Sequence, residues 1–231
     1  MSAAQTPFRI TPNAPSALPT SNLAFPPFGQ ALAGPGLASP DAVLCECLPG
    51  GREPVRQLIR DRFHEAYGAR IASYMPRLLG LHRAGGSGPL GAVGLREAKR
   101  QALFVERYLD QPIEAAIGTC IGRAVPRSEI VEVGQFAGSS AGAFRSLILR
   151  LIDQLHAEGH RWVVFTGTTA LRNAFSRLGL SPVELASADP ARLAPAERDA
   201  WGSYYHHDPR VMFGDIREGH AVMSARLATG D

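Results

Sequence analysis

The stretch EIVEVGQFAGSSAGAFRSLILRLIDQLHAEGHRWVVFTGTTALRNAFSRLGL, residues Glu129–Leu180, decides how the chain is read. Ile130, Val131, Val133 and Phe136 are β-branched or aromatic residues suited to a buried strand. Ala137–Gly142 reads as a loop in which Gly138, Ser139, Ser140 and Gly142 let a backbone come close to a ligand. Phe144, Leu147, Ile148, Leu151, Ile152 and Leu155 recur at three and four residues. That spacing makes one apolar helical face, and Gly159 is its natural stop. Arg161–Thr166 follows as a second strand, and Leu171, Phe175 and Leu178 give a second helix its stripe. Strand, helix and strand within about thirty residues form a crossover, so the two strands lie parallel in one sheet. The loop before the first helix offers unpaired N–H groups and the positive end of a dipole, which suit a phosphate. The same small residues also suffice for a plain tight turn.

Working outward, the 231 residues fit one domain, or one domain behind a tail. Hydrophobic content of 45% and charged content of 19% describe a globular chain with a real core. Net charge is +3, and Lys99 is the single lysine among 24 basic residues. Arginine richness matches either phosphate recognition or a GC-rich coding sequence, and no basic run interleaved with aromatics points to nucleic acid. Cys45, Cys47 and Cys120 are too few for a disulfide framework and fit a reducing, cytoplasmic setting. Cys45 and Cys47 on one strand share a face and read as buried thiols, and no partner cluster marks a metal site. No apolar run reaches the ~20 residues of a membrane span.

Residues 1–40, rich in Pro, Ala, Ser and Gly, read as a mobile tail, leaving 41–231 as the folded domain. Val43–Leu48 reads as a strand, and Val55, Leu58, Ile59, Phe63, Ala66 and Tyr67 as the apolar side of a helix. Tyr74–Leu81 is broken by Pro76. Leu90–Leu95 is strand-like with Arg96 at its end, and Pro112 opens a short helix. Residues 182–198 read as a helical connection, and Val211–Phe213 and Ala221–Ala225 as late strands. Two carboxylates stand out. Glu132 lies inside the central strand, where a charge is costly unless paired or used. Alternation puts Glu132, Gly134 and Phe136 on one face and Val131, Val133 and Gln135 on the other. Glu106 sits between apolar neighbours, as either a general base of raised pKa or the partner of Arg96 or Arg107.

Gln135-Phe-Ala-Gly138-Ser-Ser140 resembles the pyrophosphate signature of GNAT acyltransferases, with Ser140 in place of its final glycine or alanine. Asn173-Ala-Phe-Ser-Arg-Leu-Gly179 is similar to the second GNAT motif, and Glu132–Ala137 resembles a segment of acyl-homoserine-lactone synthases. GAVGLR (91–96), LFVERYLDQPIE (103–114), IVEVGQFA (130–137), WVVFTGTTALRNAFSRLGL (162–180) and WGSYYHHDP (201–209) together resemble the thermostable haemolysin family. The likeness implies an α/β domain with a GNAT-like mixed sheet flanked by helices. It implies a thioester donor, acyl-CoA or the phosphopantetheine of an acyl carrier protein. Gln135, Phe136, Ala137, Gly138, Ser139, Ser140, Ala141, Gly142 and Asn173 would hold that donor. It also implies an acceptor flanked by Phe63, Tyr67 and Arg96.

The expected activity is transfer of an acyl group to the amine of a small metabolite such as an amino acid. Glu132 or Glu106 would be the base and backbone N–H groups the oxyanion donors. Many GNAT enzymes carry a tyrosine acid where this chain has Phe175, so Tyr204 or Tyr205 is the candidate replacement. Two other classes compete: a membrane-active haemolysin, for which no spanning or strongly amphipathic exposed element and no export signal is visible, and a GNAT-shaped binding protein without catalysis.

Overall fold

The computed structural model describes residues 41–229, so the proposed tail, 1–40, lies outside the described residues. In chain order the elements are β1 (Ala42–Glu46), α1 (Glu53–Tyr67), β2 (Arg77–Arg83), β3 (Pro89–Glu97), α2 (Ile113–Ile121), β4 (Ile130–Gly138) and α3 (Ala141–Ala157). Then come β5 (Trp162–Gly167), α4 (Thr169–Arg177), β6 (Val183–Ser187), α5 (Pro195–Ala200), β7 (Arg210–Asp215) and α6 (Ile216–Thr229). The strands make one mixed sheet in the order β1-β2-β3-β4-β5-β7-β6. β4 and β5 pair in parallel, as the crossover requires, and the other pairs are antiparallel.

Helices cover both faces. On one, Val55, Ile59 and Phe63 of α1 pack on Leu78, Ala92 and Ala137. Ile113 and Ile117 of α2 pack beside them on Ile130, Trp162 and Val164. On the other, Leu147, Leu151 and Leu155 of α3 cover Leu79, Val93, Val131 and Val133. Phe175 of α4 and Met223 of α6 close over Phe165 and Met212.

Four readings change. Tyr74–Leu81 delivers β2, because Pro76 stands just outside the strand, where its missing N–H costs nothing. Residues 182–198 include the short edge strand β6, whose weak alternation hid it. Ala221–Ala225 lies inside α6, since β6 already takes the place beside β7. Cys45 is exposed and Cys47 buried, because Cys47 is packed in the cluster of Val55 and Ile59 of α1, and Cys45 is left uncovered on the edge strand β1.

The central departure from regularity is in β4. Gly134 pairs with Gly94 and Ala137 with Ala92, so Gln135 and Phe136 together oppose Val93 alone. This is a β-bulge, and Gln135 takes φ 55 to make it. The extra residue reverses the alternation. Phe136 joins the face of Val133 and packs at 5.7 Å against Phe144, and Ala137 moves to the α1 face. Beside the bulge, β4 and β5 pair only at Ile130↔Trp162, Val131↔Val163 and Glu132↔Val164. Past Glu132 the strands part.

A second junction holds the rim of this opening. Arg70 N–H donates to Ala200 C=O at 2.7 Å, and Ser203 N–H donates to Tyr67 C=O at 2.8 Å. Gly202 has φ 56, and a Cβ there would lie 2.2 Å from the Tyr67 carbonyl oxygen. Gly202→Ala is therefore expected to cost at least roughly 2 kcal/mol. Gly214→Ala, whose Cβ would meet Val163 at an ordinary 3.5 Å, should be near neutral. Urea denaturation of the two variants checks the contrast.

Candidate active site

Where β4 and β5 part, a cavity of about 390 Å³ opens on the α1 face. Its wall includes Phe63 and Tyr67 of α1, Arg96 of β3, Glu132–Phe136 of β4, Thr166 of β5, and Phe104, Trp201 and Tyr204 from loops. Its chemistry centres on Glu132, which is 1% exposed. Sheet register sets Arg96 directly across from it, and Arg96 Nη1 donates to Glu132 Oε2 at 3.2 Å. The Phe104 and Val105 N–H groups donate to its two oxygens, each at 2.9 Å. Burial pushes the Glu132 carboxyl above its ordinary range, against the pull of these N–H groups and of Arg96. Two carboxylate oxygens offer about four acceptor positions, and three are filled. The remaining one is available to a proton.

Glu106 is differently placed. It does not line the cavity, and Arg127 Nη1 and Nη2 grip it at 2.6 and 2.8 Å. The Leu103 and Ile113 N–H groups donate to it as well. Burial alone would raise its pKa, but Arg127 and the two N–H groups outweigh that and bring it down to about 2. Arg127 also holds Glu114, so the trio ties α2 to the loop before it. A carboxylate so held accepts protons poorly, and its partner is neither Arg96 nor Arg107.

Tyr204 lines the cavity, buried, and bonds to Thr166 on the free end of β5. Burial raises its phenol further above the ordinary value, so it stays protonated. Tyr205 turns away and shares a 2.6 Å hydrogen bond with Tyr108. His206 and His207 are exposed and line no cavity wall.

The residues read as a donor loop divide among three settings. Gln135–Gly138 belong to β4. The Gln135 side chain braces the cavity rim, accepting from Met75 N–H at 3.0 Å and donating to Ser73 C=O at 2.7 Å. Ser139 N–H donates to Leu90 C=O, and Ser140 caps α3 by accepting from Ala143 N–H at 3.2 Å. Ala141 and Gly142 begin α3, where first-turn N–H groups have no intrahelical acceptor. Asn173 is exposed on α4 and lines neither cavity. Sequence reasoning missed Met75, Phe104 and Trp201 as wall residues. Only the aromatic cluster at 201–205 signalled one of them.

A second cavity of about 430 Å³ lies on the opposite face, among α3, α4 and α6. Ile148, Ile152, Phe175, Leu180 and Val222 give it an apolar wall. Val133, Phe136 and Phe165 line both cavities, so the two lie back to back beside the parted strands. Among the described residues no group of three or more His, Cys, Asp or Glu could hold a metal ion, and no helix is long and apolar enough to cross a membrane.

A seven-stranded mixed sheet whose central parallel pair parts at a bulge beside a helix N-terminus is the GNAT-like fold. The solved structures agree on it. The N-acyl amino acid synthase FeeM from uncultured soil microbes matches with a TM-score of 0.54 at 15% identity, over 80% of this chain and 96% of that one. TofI, in a ternary complex with an inhibitor and MTA, matches with 0.54 at 17%, over 80% and 96%. BjaI, a CoA-dependent acyl-homoserine lactone synthase with SAM and isopentyl-CoA, matches with 0.51 at 15%, over 81% and 90%. The thermostable hemolysin family model matches residues 49–220, and the chain belongs to that family. No curated protein matches the sequence.

The assignment of Glu106 to structure has a pH signature. Its folded pKa is depressed below the ordinary 4.5, so its stabilisation is complete above that value and is lost as pH falls towards 2. Glu106→Gln should cost roughly 2–3 kcal/mol at pH 7. The gap to the unmodified protein should close on acidification, which melting curves from pH 7 to pH 3 will follow.

Proposed function

We propose that the protein transfers an acyl group from a thioester, carried on CoA or on an acyl carrier protein, to the amine of a small metabolite. The observation carrying this reading is the parting of β4 and β5 at Glu132, with a cavity that holds Glu132 and Arg96 on one side and an aliphatic one on the other. A thioester laid along the gap has room for its acyl chain among Ile148, Ile152 and Leu180, while an amine waits beside Glu132. The unpaired N–H groups at the start of α3 suit the donor's phosphates. That FeeM is described as an N-acyl amino acid synthase and BjaI as a CoA-dependent acyl-homoserine lactone synthase supports the same class of reaction.

Glu132 removes a proton from the ammonium form of the acceptor, and the freed nitrogen attacks the thioester carbonyl carbon. Unpaired N–H groups on the open edge of β4 face the developing oxyanion. As the intermediate collapses, the C–N bond stays, the C–S bond breaks, and the nitrogen's second proton is lost. The thiolate leaves and takes up a proton, for which the protonated Tyr204 of the cavity wall is the candidate donor. Products are an amide and a free thiol, with one proton released. The purely structural alternative needs both candidate carboxylates in ion pairs away from the cavity. Glu106 meets that condition and Glu132 does not.

The test is thermal stability of the full chain with CoA, acyl-CoAs of several lengths and an acyl carrier protein. A donor bound to the native state raises the melting temperature by mass action. Gly142→Asp should abolish the rise. A side chain there meets no atom within 4 Å, and a carboxylate suits a helix N-terminus while repelling phosphate. Gly138 would be a poorer choice, because a Cβ there presses on Phe144 at 3.0–3.2 Å. No shift with any donor would overturn the reading and redirect attention to liposome leakage.

Two further outcomes follow. Glu132→Gln should lower kcat about 10²–10⁴-fold with the donor-induced shift retained. A loss of stability without a loss of rate would remove Glu132 from the chemistry. Gly219 lines the apolar cavity, and a Cβ there would stand 3.6 Å from Leu180 and 3.9 Å from Ile152. Gly219→Leu should therefore shorten the longest acyl chain that is used, read from rates across a series of acyl-CoAs.

A further inference from the structure

Of the ionic side chains that line the acyl-acceptor cavity, one has no ion-pair partner among the described residues. Four ionic side chains line it: Arg70, Arg96, Glu132 and Glu197. Arg96 is committed to Glu132 at 3.2 Å, and Glu197 to Arg107 at 2.5 Å. Among the described residues, no carboxylate stands within ion-pair distance of Arg70. Arg70 is an exposed residue of the cavity wall. The backbone beneath it is fixed, because Arg70 N–H is bonded to Ala200 C=O and Ala69 N–H to Phe63 C=O. The rest of the wall around it is aromatic, from Phe63, Tyr67, Phe104, Trp201 and Tyr204.

We infer that Arg70 holds the carboxylate of the acceptor, and that the acceptor is an α-amino acid with an apolar or aromatic side chain. This rests on the acyl-transfer reading. An amino acid meets both openings: its ammonium takes the acceptor position of Glu132 left unfilled, and its carboxylate goes to Arg70. An amine without a carboxylate leaves Arg70 unpaired beside its own positive charge. Arg96 is a weaker candidate for the same task. Its Nη1 is already spent on Glu132, and its Nε is buried. The planar fork of arginine suits a carboxylate, and the aromatic wall suits an apolar side chain.

The experiment compares matched acceptors on the full chain at saturating acyl-CoA: phenylalanine with phenethylamine, and leucine with isopentylamine. Release of free thiol is the readout. The native protein should favour each amino acid over its amine by about tenfold or more in kcat/KM. Arg70→Ala should collapse that preference towards unity through a raised KM for the amino acid, and Arg70→Lys should restore part of it. A wild-type preference for the amines, or an Arg70→Ala variant with an unchanged KM for the amino acids, overturns the inference. So does loss of the CoA-induced thermal shift in Arg70→Ala, which would assign the guanidinium to the donor's phosphates. Thermal shifts with acyl-CoA but no thiol release with any acceptor would instead bring down acyl transfer itself.

Discussion

The opening at the centre of the sheet depends on a single strained residue. Gln135 adopts φ 55, a conformation that costs a non-glycine residue of order 1–3 kcal/mol. Its own side chain supplies much of what offsets this, bonding both Met75 N–H and Ser73 C=O. Those two groups belong to the segment between α1 and β2, whose backbone has no strand to pair with. The glutamine amide, one acceptor and one donor on a single plane, serves them as a strand neighbour would. The bulge thus does two jobs with one residue: it bends β4 away from β5, and it fixes the loop that walls the resulting gap.

From this bend the arrangement of the site follows. Once β4 has turned, Phe136 swings to the α3 face and fills space next to Phe144, and both reach the margin of the gap. Glu132 is left at the last paired rung, with sheet packing behind it and the cavity in front. Burying a carboxylate there is costly, and one ion pair across the sheet rarely repays it. Here the cost is shared. Two N–H groups from Phe104 and Val105 converge on the oxygens, and those N–H groups are held in place by the turn that Glu106 organises with Arg127. Glu106 and Glu132 therefore act in series, the first shaping the turn whose N–H groups hold the second.

Much of this was legible beforehand, and the reasons for what was not are physical. The 129–180 stretch specified its strands, helices and parallel pairing because its periodicities are long and its glycine stops well placed. Glu132 stood out as a charge in an apolar strand, whereas Arg96, Phe63 and Tyr67 came from the family resemblance; all four line the cavity. The bulge was invisible, since Gln135 is not a residue that announces φ > 0. With it went the correct face for Phe136 and the true task of Gln135. Glu106 could not be told from Glu132 in the sequence, because both sit among apolar neighbours. What separates them is Arg127, twenty-one positions from Glu106 and identifiable as its partner only after folding. β6 and the helical state of 221–225 were missed for a simpler reason: a five-residue edge strand and a helix late in the chain carry too little pattern to outweigh their neighbours.

The same reasoning explains why the charged groups lie where they do in depth. Charge deep in the cavity is neutralised within the protein, since an unpaired ion there would face little solvent and cost several kcal/mol. Arg96 and Glu132 obey this at the base of the cavity. At the rim water screens a lone guanidinium, so Arg70 stands without a carboxylate at little cost to stability. That cost changes once a ligand covers the mouth and excludes the water. A guanidinium that is harmless in the open cavity then needs a partner from the ligand itself. The depth gradient thus favours an occupant with a neutral or proton-donating end inside and an anionic end outside, and it disfavours one with the opposite polarity.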